Sequence, residues 1–489
     1  MGMYEPIRGH DDVEKEQEKE KRGVRHSVEG EDDVEMAVHA RSGTAIPNAG
    51  RDSNKIEEES SKQKRHQQQR LVSLDVFRGV TVALMIFVDD AGGILPAINH
   101  SPWDGLTLAD FVMPFFLFIV GISLALTYKN LSCRAVATRK AILRALKLLM
   151  LGLFLQGGFF HGLNDLTYGV DIEHMRWMGI LQRIAIAYLL AALCEIWLKG
   201  DGNVNLVSSL FRQYRFQWAL VLMLSTLYLS LLYGLYVPDW EYRIPIETSS
   251  SPPKLFSVKC GVHGDTGPAC NSVGMIDRKI LGIQHLYKRP VYARTQQCSI
   301  NSPSNGPLPS DAPSWCQAPF DPEGLLSSVM AIVSCFVGLH YGHIIVHYKV
   351  TMSTELAFLP LPKVYIFFTS FSPHIQDHRD RIFHWMVTSS CLVVLGLGLN
   401  LCGMHFNKAL YTFSYMCFTA GVAGILFAGI YFMVDVCGCR RPTFVMEWMG
   451  MHALMLYILA ACNVLPVFLQ GFYWRRPRNN ILGLIGIGR

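Results

Sequence analysis

The chain has 489 residues, half of them hydrophobic and only 17% charged. That is well under the quarter or so that soluble domains carry, and it points to a multi-pass membrane protein. A formal net charge of +5 over this length argues for no nucleic-acid partner.

Residues 1–70 differ from the rest. "DDVEKEQEKEKRGVRH" and "KIEEESSKQKRHQQQR" mix both charge signs with almost no large apolar residue, a composition that cannot offset chain entropy by burial. A disordered arm is expected there. No apolar h-region marks a cleavable signal, so insertion should begin with the first span.

A hydrocarbon core of about 30 Å needs roughly 20 apolar residues in a helix. Nine spans are predicted near 71–89, 107–128, 141–160, 177–198, 216–237, 324–347, 383–403, 409–435 and 444–468. The expected fold is therefore an all-α, polytopic transmembrane bundle. Five helices would lie in 71–237, with a loop at 89–106; the others would occupy 324–475, before a short tail at 476–489. Basic residues orient the bundle, because Lys and Arg favour the cytosolic side. "KQKRHQQQR" precedes the first span; Lys129, Arg134, Arg139 and Lys140 stand in the second loop without an acid; Arg440 and Arg441 follow the eighth span. The amino-terminal arm should thus be cytosolic and loop 89–106 exoplasmic. The long loop 238–323 should be exoplasmic too, and it holds Cys260, Cys270, Cys298 and Cys316. Disulfides persist on the oxidising side, and four thiols allow three pairings. Cys437 and Cys439 are either lipidation sites or free thiols.

Several ionisable groups fall at one depth. Asp89 and Asp90 end the first span, His100 follows in the loop, Asp110 opens the second span, and Gln182 and Arg183 lie early in the fourth. Charges at membrane depth usually face a cavity or a partner, so an Arg183–Asp110 ion pair is one reading. His100 beside "SPW" is either a helix cap or a base. Two nearby carboxylates favour the base, since a carboxylate fixes the imidazole tautomer and frees the other nitrogen. Trp103 suits an interfacial anchor or a platform for a sugar ring. At the other face, Arg78 of "LDVFRG" and the basic loop with Arg134, Arg139 and Lys140 enforce topology or receive an anionic cosubstrate. No metal is expected: His340, His343 and His347 share a helix face without a neighbouring acid or cysteine in sequence.

The stretches "SLDVFRGVTVALMIFVDDAGG", "HSPWDGLTLADFVMPFFLFIVGISLAL", "MGILQRIAIAYLLAAL", "GMIDRKILGIQHLY", "FDPEGLLSSVMAIV", "NKALYTFSYMCFTAG" and "MGMHALMLYIL" together resemble the heparan-alpha-glucosaminide N-acetyltransferase family of transmembrane acyltransferases, in its plant-type branch. The resemblance implies transfer of acetyl from cytosolic acetyl-CoA to an amino sugar or related glycan on the lumenal side. It implies an endomembrane location of lysosomal or vacuolar type, with the plasma membrane as the other, contact with membrane lipid, and a bundle of ten or more helices that can form a homodimer. The family's active histidine falls on His100, as general base or acetyl carrier. Asp89 or Asp90 would orient it or attract the amine, and Arg183 or Gln182 would steady the oxyanion. Trp103 and Asp110 would contact the acceptor. Two positions depart from the family pattern: Asp89 stands where other branches carry Asn, and so does His452.

The segment "VTMSTELAFLPLPKVYIFFTSFSPHIQ", residues 350–376, interrupts a run that relatives continue directly. Its first residue, Val (codons starting GT), its last, Gln (codons including CAG), and its run of Phe, Leu, Ser and Pro, which pyrimidine-rich codons encode, resemble an in-frame retained intron, and a shortened carboxyl end is expected as well. A transporter of a small polar or anionic solute and an inactive family member are the alternative readings.

Overall fold

A computed structural model describes residues 71–92, 95, 98–129, 131, 133–161, 167–170, 172–173, 175–199, 212–244, 254–287, 290–347 and 373–462. The amino-terminal arm, residues 350–372 of the interrupting segment and the tail lie outside these residues.

Among the described residues, six helices are long and apolar enough to cross a bilayer. They contain α2 (Val112–Thr127, entered through a 3₁₀ turn at Leu108–Phe111), α4 (Ile180–Trp197), α5 (Arg215–Gly234), α7 (Leu325–His347), α8 (Pro373–Leu401) and α9 (Phe413–Tyr431). Two further helices have spanning length but carry charge: α1 (Val72–Ala91), with Asp75, Arg78, Asp89 and Asp90, and α3 (Arg134–Gly157), with Arg134, Arg139, Lys140, Arg144 and Lys147. The expected span at 444–468 is not one straight helix. α10 (Phe444–Met451) and α11 (Ala453–Ala461) meet at His452 with a bend of 76°. Against the nine expected spans, the described residues show six apolar helices and one bent pair, with two charged helices of spanning length beside them.

α7 is the hub. It is buried along nearly all its length, whereas α5 and α8 expose long apolar faces. Small residues allow its approach to α2. A Cβ on Gly338 would lie 2.1 Å from the Phe118 carbonyl oxygen, and one on Gly121 would lie 2.1 Å from the Cys335 oxygen. Lipid supplies little hydrophobic drive between helices, so this contact of backbones is what binds them. α1 and α10 meet in the same manner: a Cβ on Gly450 would stand 1.8 Å from the Asp75 oxygen.

After α3 a short hairpin forms, β1 (Gly158–His161) against β2 (Thr167–Val170). A second hairpin, β3 (Trp240–Ile244) with β4 (Lys254–Val258), starts a lobe that also contains α6 (Ser272–Ile280). Disulfides Cys260–Cys270 and Cys298–Cys316 close two loops of this lobe. Tyr242, Val258, Ala269 and Ala318 form its small core, and Arg278 lies over the Trp240 ring at 3.8 Å.

Candidate active site

His100 follows α1 in the loop that leads to α2. Its Nδ1 lies 2.9 Å from Asp110 Oδ1. Asp110 is placed by the 3₁₀ turn at Leu108–Phe111, in which Thr107 and Asp110 form a reciprocal capping box. Its Oδ2 accepts from the Thr107 N–H (3.1 Å), the Thr107 hydroxyl (2.9 Å) and the Ser101 N–H (3.3 Å). The Tyr415 hydroxyl donates to the Asp110 backbone oxygen at 2.5 Å. A carboxylate held on every side fixes the ring it bonds. Arg294 donates to the His100 carbonyl oxygen at 2.9 Å.

A lysine from the loop between α8 and α9 completes the cluster. Lys408 Nζ stands 2.8 Å from His100 Nδ1, 3.3 Å from Nε2 and 3.6 Å from Asp110 Oδ1. Its surroundings lower the affinity of His100 for a proton: burial acts first and the Lys408 charge second, against the bond to Asp110. Burial likewise lowers the Lys408 pKa, while the charges of Asp110 and Glu323 oppose that shift.

Two cavities meet at this cluster. The outer one, about 1540 Å³, lies beneath the disulfide lobe and is lined by Trp103, Glu241, Arg243, Tyr287 and Arg294, among others. The inner one, about 690 Å³, runs between α1, α2, α3, α4 and α11 to Arg78, Arg144 and Lys147. It follows α2 from Val112 to Thr127, a rise of about 22 Å at 1.5 Å per residue. His100, Glu323 and Lys408 line both. Glu323 is paired with Arg176, which also bonds Asp321 at 2.5 Å. Burial opposes its charge, but Arg176 beside it keeps Glu323 below the usual carboxylate range.

The predicted site residues divide into three groups. Among the described residues, the carboxylate bonded to His100 is Asp110 and not Asp89; Asp89 lines the inner cavity, and the side chain of Asp90 lies outside the described residues. Asp110 is fully occupied by His100 and its own loop, which leaves no open face for an acceptor. Arg183 does not pair with Asp110. It donates to Ser327 (2.5 Å), Ser328 (3.3 Å) and the Pro322 carbonyl (2.8 Å), while Gln182 bonds Gln156 at 2.9 Å. Neither lines the cavities, so both hold helices together. Trp103 is buried between Tyr292 and Phe320, with its N–H donated to the Thr266 carbonyl; it is a wall of the outer cavity and not an interfacial anchor. Arg78 lines the inner cavity, whereas Arg134, Arg139 and Lys140 are exposed on α3, and Arg144 and Lys147 one and two turns later take the lining positions.

Sequence patterning marks neither Lys408, Glu323 nor Arg176, each more than 70 residues from His100. Away from the site, His343 Nε2 lies 2.8 Å from Glu195 Oε2, so an acid from α4 does join the histidine face of α7. No group of three or more potential metal ligands occurs among the described residues.

Residues 70–236, which include His100 and Asp110, match the family model for the catalytic region of heparan-alpha-glucosaminide N-acetyltransferase. That stretch, about a third of the chain, is where the chain resembles the family. The mouse (Mus musculus) heparan-alpha-glucosaminide N-acetyltransferase is 27% identical over 406 residues, covering 80% of this chain and 53% of the relative. The human (Homo sapiens) enzyme of that name is 26% identical over 409 residues, covering 80% of the chain and 52% of the relative. The chain thus spans about half the length of the heparan-alpha-glucosaminide N-acetyltransferases it matches, and the matched catalytic region supplies α1 to α5 and the histidine at the meeting of the cavities.

Proposed function

We propose that the protein is a transmembrane acetyltransferase that moves acetyl from cytosolic acetyl-CoA to an amino sugar or related glycan amine on the exoplasmic side. One observation carries this reading: a single histidine lines two cavities, one beneath a disulfide-bonded lobe and one ending in Arg78, Arg144 and Lys147. Disulfides favour the oxidising side and exposed Lys and Arg favour the cytosol, which supports a cytosolic amino terminus and nine crossings, with α1, α3 and the bent pair among them. The endomembrane location and a homodimer follow from the family reading.

In this scheme the CoA phosphates bind at Arg78, Arg144 and Lys147, and the pantetheine arm lies along α2 toward His100. The acceptor enters beneath the lobe. An ammonium that has lost one proton to solvent presents an amine; its nitrogen attacks the thioester carbon while His100 Nε2 takes the second proton, and the carbon–sulfur bond breaks as the thiolate leaves and is protonated. Asp110 holds Nδ1–H, which leaves the Nε2 lone pair facing the cavities. The short path from amine to Nε2 supports a ternary complex; a covalent acetyl-histidine is the other route.

The test is purified full-length protein with labelled acetyl-CoA and a panel of amino sugars, wild type against His100→Ala. Transfer that is lost in the variant, with CoA binding kept, supports the reading. Equal rates would sink it, and solute flux in proteoliposomes without acetyl transfer would favour a transporter, to which two joined cavities also give room.

A further inference from the structure

The position of Lys408 relative to the imidazole is specific. An ammonium on the lone-pair axis of one ring nitrogen stands much farther from the other nitrogen, yet Lys408 Nζ is 2.8 and 3.3 Å from the two. It therefore sits beside the ring and not in line with either lone pair. Nδ1 is already bonded to Asp110 at 2.9 Å, and one nitrogen cannot give its proton to a carboxylate and accept from an ammonium at once. Lys408 thus acts on His100 through space, as a charge.

We propose that Lys408 is a positioning residue that keeps the His100 imidazole uncharged, with its proton on Nδ1 toward Asp110 and its lone pair on Nε2, so that the ring stays a base in an acidic medium. A positive neighbour disfavours the imidazolium form. Lys408 gains charge as pH falls, so the repulsion persists where an ordinary histidine would be protonated. Among the described residues, the other charged groups facing the ring are these: Asp110 from the 3₁₀ turn favours the imidazolium, Arg294 of the lobe opposes it, and Glu323 and Asp89 line the adjoining cavity space. Arg183 acts on Lys408 from α4, against Asp110 and Glu323. The lowered proton affinity of His100 agrees with this geometry.

The role rests on acetyl transfer as the reaction, but its test does not. Diethyl pyrocarbonate modifies neutral imidazole, and the His100 side chain is 37% exposed. The full chain in detergent is treated across a pH series, and carbethoxylation at His100 is read by peptide mass spectrometry with His100→Gln as the blank. The midpoint should rise by about one to three pH units in Lys408→Met and stay near wild type in Lys408→Arg; Lys408→Gln replaces the Met variant if that does not fold. The acid limb of acetyl transfer should move in parallel. An unchanged or lowered midpoint overturns the role of Lys408. Absence of transfer in the wild type removes the acetyltransferase reading instead, and the midpoint still decides the lysine.

Discussion

Asp110 and His100 form a carboxylate–imidazole pair across ten residues of chain, 2.9 Å from Oδ1 to Nδ1, and the carboxylate is closed off from solvent. The second oxygen accepts three hydrogen bonds from its own loop. The pair is rigid on the carboxylate side and open on the histidine side, which is the division a general base needs.

Asp110→Asn keeps the shape and removes the charge. The amide can present its nitrogen to Nδ1 and force the proton onto Nε2, so kcat should fall by about 10²-fold or more. Binding of acetyl-CoA, measured by calorimetry, should change little. A drop in binding equal to the drop in kcat would show that Asp110 shapes the cavity and leaves the tautomer alone.

At the far end of the inner cavity, Arg144 and Lys147 are the exposed cations that the phosphates of CoA would meet. The double variant Arg144→Ala/Lys147→Ala should raise KM for acetyl-CoA about 10-fold or more, from the loss of charge-assisted bonds, and leave KM for the acceptor unchanged. Arg134→Ala, on the same helix but outside the cavity, is the control.

The approach of α2 to α7 predicts a stability series. Gly338→Ala puts a methyl 2.1 Å from the Phe118 oxygen and should cost about 1–3 kcal/mol, with Gly338→Val costing more. Gly398→Ala on α8, where nothing lies within 4 Å, should be neutral or slightly stabilising. Thermal unfolding in detergent followed by tryptophan fluorescence checks both.

Asp277 in α6 gives the lobe a pH dependence. Burial, with the charge of Asp321 adding to it, pushes its pKa up to about 7 against the bond from the Leu325 N–H at 2.8 Å. The folded state then binds more protons than the unfolded state between the ordinary carboxylate pKa near 4 and about 7. Stability should fall as pH rises through that window and should be greatest on its acid side. Asp277→Asn should flatten the dependence, as measured by chemical denaturation at pH 5 and pH 7.

The helical class and the disulfide-bearing loop were legible in the chain, because long apolar runs and clustered cysteines leave strong local marks; a histidine between charged helix ends likewise marked His100 as a candidate. The partner of His100 was legible in principle: Thr107 and Asp110 carry the Thr-x-x-Asp spacing of a capping box, a nearer signal than the carboxylates of α1. Lys408 was not, since it stands 308 residues from His100 and nothing in "NKALYTF" separates a site lysine from a loop lysine. Arg183 illustrates the reverse: a buried arginine suggested an ion pair, yet two serines and a carbonyl of the α7 amino-terminal end satisfy it. The break at His452 escaped an apolar pattern that runs through the bend without interruption.

The wall of the inner cavity joins Arg78, Met85 and Val88 of the first helix to Met451, Leu454 and Tyr457 of the bent pair, more than 360 positions downstream. A nascent chain emerging from the ribosome therefore holds His100, Arg78, Arg144 and Lys147 long before α10 and α11 complete the cavity wall. Until α10 and α11 insert, that flank of the cavity stands open to lipid.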